Sequence, residues 1–513
     1  MTTQTRKIAL NASVVAGGTL LSRILGFLRD VIIAFALGAG PWADAFFVAF
    51  RIPNLLRRLT AEGSLTMAFV PVFTRIQKEQ GQEKAYIFTR SALVWLIGIL
   101  GVVSLIAIFG ASYLIRIVAP GFADDPQVFE HTVFLVRICF PYIIFISAVA
   151  LCMGFLNARD HFLAPALAPC VLNISLIAAS LLAVWLEFEV SVALSIGVLV
   201  AGLGQWLLQQ PFLSQQGFTW RGKWSLKDKG VRRAGKLMLP TVAGAAVYQL
   251  NVVMITVLAS FLAQGSISYL YYADRLVQFP LGVFGIAVST AALPSLSSLA
   301  ASAKMEEFVK TLNSTLGLIL FISLPAMAGL IALREPLVEV LFARGAFEGQ
   351  SVQETAWALV GYSLGLPAFC SVRSLVSAFY AQEDTRSPVL AAAICMLLNV
   401  ALGLILMQYL RHVGLALAVA LSSWLNIFLL GIFLRRHVGA WFSWSRSLLF
   451  MLLLSAALGY GVWLTASWDI WALLCIPLWI IFYWAAAYLL SLEEARMFLR
   501  VMQRVTKRFS IAK

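Results

Sequence analysis

Eight arginines, Arg23, Arg29, Arg51, Arg57, Arg58, Arg137, Arg275 and Arg373, fall inside stretches built otherwise mostly from apolar residues. Only four acids, Asp30, Asp44, Glu62 and Asp274, share those stretches. If the stretches cross a membrane, an uncompensated charge near the bilayer centre costs at least ~3 kcal/mol, so these side chains must face a protein interior or a wet cavity. All eight are Arg and none is Lys. A guanidinium is less strongly hydrated than an ammonium, and its planar fork meets phosphate or carboxylate through two parallel hydrogen bonds. Four cations remain in excess even if each acid neutralises one arginine, which suits the binding of an anion. Bond-breaking chemistry has no counterpart in the chain, which lacks HExxH, Walker-type glycine-loop and GxSxG motifs.

Blander roles exist for several of these residues. Arg58 and Glu62 are four apart and could pair along a helix. Arg23 and Asp30 are seven apart with Gly26 between them, which suits a helix-packing pair as well as a site. Asp274 and Arg275 are adjacent, and neighbours on a helix point about 100° apart, which favours a cavity role for both. Arg51 shares seven-residue spacing with Asp44 and Arg58, but Pro53 is expected to break the helical phase. Arg137 and Arg373 fall near helix ends, where they can snorkel, and are left out of the site.

The elements that must position these residues follow from composition. The chain has 513 residues, 61% hydrophobic and 12% charged, with a mean hydropathy of +0.88. That is the profile of a polytopic, all-α membrane protein and excludes a soluble multi-domain enzyme. Apolar runs bounded by charge or Gly/Pro clusters predict fourteen spans, near 12–36, 42–74, 91–115, 132–157, 163–186, 190–213, 234–262, 267–300, 311–333, 355–381, 388–409, 413–434, 447–466 and 470–491. With the N-terminus inside, the loop cations divide 26 to 4 in favour of the inner side, so both termini are expected in the cytoplasm. The basic 216–236 loop and C-terminal tail read as topology determinants, with anionic-lipid binding the lesser alternative. No cleavable signal peptide is evident. The six cysteines lack paired close spacing and the four histidines sit near helix ends, so neither a metal site nor a disulfide framework is expected.

The two halves superpose in sequence at offsets of 223 to 230 residues. Asp44 answers to Asp274, Pro71 to Pro294, the 114–122 loop to 337–347, Pro141 to Pro367, Asp160 to Asp384, Pro165 to Pro388, Asn173 to Asn399 and Leu194 to Leu417. Each repeat holds six helices, an even number, so both enter the membrane with the same polarity. This parallel-repeat arrangement is a carrier architecture in which bundles rock about a midplane site. The expected organisation is an N-lobe at 1–215, a cytoplasmic linker at 216–233, a C-lobe at 234–438, two added helices at 439–492 and a basic tail at 493–513. Helices 2 and 8 are equivalent and too long for one crossing. Pro53, Gly63 and Pro71 in one, and Pro280, Gly282, Gly285 and Pro294 in the other, offer places to bend.

The run Ser22-Arg-Ile-Leu-Gly-Phe-Leu-Arg-Asp30, then Asp44-Ala-Phe-Phe-Val-Ala-Phe-Arg-Ile-Pro-Asn-Leu-Leu-Arg-Arg58, Ala61-Glu-Gly63, Ala68-Phe-Val-Pro71, Ala119-Pro-Gly-Phe122 and Tyr271-Tyr-Ala-Asp-Arg275 closely resembles the MurJ (MviN) family of bacterial lipid II flippases. The resemblance covers the whole chain and is most specific over the first 75 residues. It implies two six-helix lobes, an inward- and outward-facing cycle, a central cationic cavity, and a groove for the undecaprenyl tail formed by the last two helices. The family's substrate-binding arginines fall on Arg23, Arg29, Arg57 and Arg275, and its acidic or gating partners on Asp30, Asp44, Glu62 and Asp274. Ser22, Arg51, Arg58 and Gln278 are further candidates. Gln278 stands where relatives carry Glu, so no proton or cation role falls there. No Asp or Glu lies between Asp228 and Asp274, which removes the acid that sodium coupling through helix 7 would use.

The resemblance implies a non-enzymatic flippase of the bacterial cytoplasmic membrane that carries lipid II between leaflets. It needs no cofactor and is driven by membrane potential or an ion gradient. Lipid II and membrane lipids are the expected partners, with the cell-wall synthesis machinery a further one, no nucleic acid, and a monomeric state. A flippase for another polyprenyl-diphosphate saccharide would need the same arginines. A drug/cation antiporter would need an acidic cavity, and a non-transporting scaffold would gain nothing from such costly charge.

Overall fold

The computed structural model describes residues 3–60, 64–439, 446–468 and 470–498. Among them every regular element is a helix. Two compact units emerge, one comprising residues up to Ser268 with Arg344–Glu348, the other Tyr269–Ala343 with the chain from Gly349 onward.

The first unit begins with α1 (Thr3–Leu37), α2 (Pro41–Thr60), α3 (Ser64–Gln80), α4 (Gln82–Phe109) and α5 (Ala111–Val118). It continues through α6 (Pro126–Cys139), α7 (Tyr142–Ala158), α8 (Leu163–Trp185), α9 (Val190–Gln215) and α10 (Lys229–Ser260). Small residues let helices approach: a Cβ at Gly18 would lie 2.7 Å from Ala166, and one at Gly197 2.8 Å from Ala179. An aromatic core of Phe69, Phe73, Phe88 and Phe155 ties α3, α4 and α7 together. Helix α10 begins the second sequence repeat yet packs on α3 and α2, so the first compact unit extends past the 216–233 linker.

That linker is fastened along α4. Arg90, 5% exposed, donates Nε to the Thr219 carbonyl at 2.8 Å, and Trp95 Nε1 donates to the Leu226 carbonyl at 3.0 Å. Gly222 has φ 144°, and a Cβ there would strike the Arg90 guanidinium at 2.5 Å, so glycine is required. Arg90 is one of the 26 inner-side cations of the loop count. It is an inward-turned structural anchor.

The second unit holds α11 (Ser266–Pro280, whose first three residues count with the first unit), α12 (Ile286–Ala301), α13 (Met305–Ala332), α14 (Arg334–Phe342), α15 (Gly349–Ser363), α16 (Leu366–Ala381), α17 (Arg386–Val438), α18 (Arg446–Thr465), α19 (Ile470–Leu474) and α20 (Ile476–Leu489). A π-helical turn at Leu281–Gly285 separates α11 from α12, at the Pro280–Gly285 bend foreseen from sequence. Helix α17 is two helices joined at Arg411, φ 49°. A Cβ at Gly414 would lie 2.4 Å from the Leu406 carbonyl, so the chain doubles back there, between the expected spans 388–409 and 413–434. Cores around Phe308 and Phe379, and around Phe321 and Tyr483, hold the unit together, the second including α18 and α20.

By length and composition, eight described stretches suffice to cross a membrane, with shorter apolar helices at 249–260, 286–301 and 476–489. The fourteen predicted spans fall on helices, those at 91–115, 132–157, 267–300, 355–381 and 470–491 each running over a junction between two of them. The span expected at 42–74 is divided into α2 and α3, with 61–63 outside the described residues. Helix α4 has a mean hydropathy of 2.8 over its most apolar window, of which only 6% is buried. Such an apolar, unburied surface suits lipid, not water.

Candidate functional site

Helix α1 carries Ser22, Arg23, Arg29 and Asp30 against α8. Its phase sends Arg29 and Asp30 inward and leaves Arg23 exposed. Arg29 donates Nη2 and Nε to Asp30 Oδ1 at 2.7 and 3.0 Å, and Nη1 to Asn173 Oδ1 at 3.0 Å. Asn173, on α8, donates Nδ2 to the Ser22 carbonyl at 2.9 Å. Gly26 faces this amide, and a Cβ there would make an ordinary 3.6 Å contact with it. The acid expected to pair with Arg23 thus pairs with its immediate neighbour. Adjacent residues can meet because the long guanidinium folds back across the short carboxylate, which overrides the 100° separation of their Cβ atoms. Among the described residues no hydrogen bond or ion pair occupies Arg23.

Helix α2 runs through Pro53 without interruption, contrary to the expected break. Its described residues keep one phase, and Asp44 and Arg51 share a face. Asp44, 3% exposed, accepts from the backbone N–H groups of Gly265 (2.7 Å) and Ser268 (2.8 Å) and from the Ser268 hydroxyl. A carboxylate at the start of α11 satisfies orphan N–H groups and complements the helix dipole. Arg51 donates to Thr256 on α10. One turn from the C-terminal end, Arg57 donates Nε to Asn54 at 2.9 Å, and Arg57 and Arg58 are half-buried. Glu62 lies outside the described residues, and so does its pairing with Arg58.

In the second unit, Arg275 lies 4.8 Å from the Tyr271 ring centroid and donates Nη2 to its hydroxyl at 3.1 Å. Gln278 donates its amide to Asp274, one turn back. Asp274 and Arg275 are half-buried and Gln278 is exposed. The i,i+4 spacing makes both contacts possible. Arg137 and Arg373 are exposed, Arg137 donating Nε to the Ile108 carbonyl at 3.3 Å.

The structure therefore groups Ser22, Arg29 and Asp30 around Asn173, sets Asp44 and Arg51 against the 256–268 segment, and places Asp274, Arg275 and Gln278 around Tyr271. Asn173 and Tyr271 are the polar partners that charge counting overlooked. Asn173 had a signal in its repeat match to Asn399, and Tyr271 in its position one turn before Arg275.

The family model described as lipid II flippase MurJ matches residues 33–483. A Vibrio cholerae protein named probable lipid II flippase MurJ is 40% identical over 438 residues, covering 83% of each chain. The Burkholderia cenocepacia lipid II flippase MurJ is 37% identical over 428 residues, covering 82% of this chain and 83% of the relative. A solved structure of lipid II flippase MurJ in an inward closed conformation superposes with a TM-score of 0.78 at 27% identity, over 95% of this chain and 99% of that one. An inward-facing multidrug resistance MATE transporter shares the fold, with a TM-score of 0.69 at 12% identity over 82% and 95% of the two chains. The chain belongs to the MurJ lipid II flippase family.

Proposed function

We propose that this protein flips lipid II, undecaprenyl-diphosphate-MurNAc-pentapeptide-GlcNAc, from the inner to the outer leaflet of the bacterial cytoplasmic membrane by alternating access. The observation that carries the reading is the set of arginines on α1, α2 and α11, exposed or half-buried within apolar helices, in a chain of the MurJ family. The diphosphate is the part of lipid II that an arginine fork recognises best. Arg23 on α1, Arg57 on α2 and Arg275 on α11 are the substrate-binding groups. Arg29, held by Asp30 and Asn173, fixes the helix that presents Arg23. Asp44 holds the segment that enters α11, the helix of Arg275.

The polyprenyl tail stays in the hydrocarbon, where α18 and α20 present Leu453, Leu478, Ile480 and Ile481 as exposed apolar side chains. The chemistry is relocation without bond-breaking. Membrane potential or an ion gradient biases the cycle, since one unit charge moved through 100 mV is worth about 2.3 kcal/mol. The protein works as a monomer with both termini in the cytoplasm, alongside the cell-wall synthesis machinery.

The test is growth rescue in a strain depleted of its own lipid II flippase. The unmodified chain restores growth, and the Arg57→Ala and Arg275→Ala variants, at equal expression, do not. Failure of the unmodified chain, or full rescue by both variants, contradicts the reading.

A further inference from the structure

Two of the four histidines sit in a mirrored arrangement that the arginine chemistry does not use. In the first unit His131, on α6, meets Glu189 in the turn between α8 and α9. Its Nε2 lies 3.0 Å from Glu189 Oε1 and 2.8 Å from the Ser191 hydroxyl, which donates to the same Oε1 at 3.0 Å. In the second unit the residue types are exchanged. Glu354 is on α15 and His412 stands at the bend of α17, with its Nε2 2.9 Å from the Glu354 carbonyl oxygen and 3.6 Å from Glu354 Oε2. The carbonyl oxygen can only accept, so this nitrogen carries the proton, and the carboxylate stands beyond hydrogen-bond distance.

Positions 131 and 354, and positions 189 and 412, are each 223 residues apart, within the offsets of the internal repeat. The two pairs therefore occupy the same two places in each repeat, in opposite order. A third feature recurs. An aromatic ring from the first turn of an arginine-bearing helix rests on each imidazole: Trp42 of α2 on His131 at 4.7 Å, and Tyr269 of α11 on His412 at 5.3 Å. The acceptor differs, a Glu189 carboxylate oxygen in the first unit and the Glu354 backbone carbonyl in the second, yet in both an imidazole joins the same two chain segments. What stays constant is the link between the two chain segments and the ring seated on it.

We propose that the two pairs are one positioning device used twice. Each fastens the helix at the start of the lobe's second half, α6 or α15, to the turn between the last two helices of its repeat, and seats the ring that fixes the head of α2 or α11. His131, Glu189, Glu354 and His412 are positioning residues. They act on the arginines through the helices that carry them, and the proposal rests on the substrate-binding role given to those arginines.

The exchange seen between the repeats supplies the test. In the growth-rescue strain, His131→Ala and His412→Ala each lower plating efficiency at least tenfold, while the amount and melting temperature of the purified protein stay close to those of the unmodified chain. The paired exchange His131→Glu with Glu189→His restores plating to within about twofold. A purely structural role predicts instead that lost growth tracks lost folded protein in every variant, which overturns the proposal. Normal growth of both alanine variants, or no recovery in that exchange, also overturns it. If the unmodified chain fails to support growth, the functional reading falls, and this role with it; growth by the unmodified chain isolates the positioning claim.

Discussion

The polar residues of α1 and α2 and those of α11 descend from matching repeats, yet they find their partners differently. In α1 and α2 several bonds reach across segments, Arg29 to Asn173 on α8, Asp44 to Gly265 and Ser268, and Arg51 to Thr256 on α10, beside the local ones of Arg29 to Asp30 and Arg57 to Asn54. In α11, past Ser268 at its start, Gln278 bonds Asp274 and Arg275 bonds Tyr271, each one turn away. Asp44 and Asp274 are repeat equivalents, but one is 3% exposed and gathers three donors while the other is half-buried beside its own helix. A repeat thus preserves a position and not the work done there. Cross-segment bonds hold helices in place, whereas a local bond can be given up to a ligand without disturbing a neighbour.

The strongest test of that difference is Arg29→Ala. It strands Asp30, 2% exposed, without its guanidinium. Breaking a buried pair in this way costs about 3–5 kcal/mol, read as a large drop in melting temperature in detergent. Arg29→Ala with Asp30→Asn recovers much of the loss. An Arg29→Ala protein as stable as the parent would dissolve the distinction. Next comes Asp44→Asn, in which an amide nitrogen replaces one acceptor and leaves either Gly265 N–H or Ser268 without its partner. The expected cost is about 1–3 kcal/mol, and an unchanged unfolding midpoint would show that the 265–268 segment holds itself.

Asn173→Ala removes the link between α8 and α1 and is expected to cost about 1 kcal/mol, with a matching small fall in melting temperature. Equal stability would assign the packing of α1 on α8 to apolar contacts such as the close approach at Gly18. The smallest effect belongs to α11. Gln278→Ala touches an exposed side chain bonded one turn away and should stay within about 0.5 kcal/mol. A larger loss would mean that α11 is held as firmly as α2.

Much of this organisation was legible in the residues. Hydropathy located the helices, and Pro280 with Gly282 and Gly285 marked the bend that the π-helical turn occupies. The rarity of arginine inside apolar runs singled out the groups to examine. Pairing was less legible, because it depends on rotamers and on distant segments. Asp30 was matched with Arg23 by spacing but is held by Arg29, and nothing in local sequence ties Asp44 to residues 265–268. Pro53 predicts a break that α2 does not make: the helix continues through it, so the seven-residue stripe of Asp44 and Arg51 runs on to Arg58 uninterrupted. The fastening of 216–228 along α4 through Arg90 and Trp95 could not be inferred from a charge count that treated loop cations as one population.

The central claim is that Arg23, Arg57 and Arg275 bind the substrate while the buried Arg29 holds the frame. Arg23 tests it most directly, being on the same helix as Arg29 and exposed. The decisive measurement is the amount of lipid II reaching the outer leaflet in cells that depend on the Arg23→Ala variant, together with the melting temperature of that protein. The account predicts a melting temperature unchanged from the parent and a fall in outer-leaflet lipid II of at least tenfold. Normal outer-leaflet lipid II, or a loss fully explained by unfolding, would contradict it.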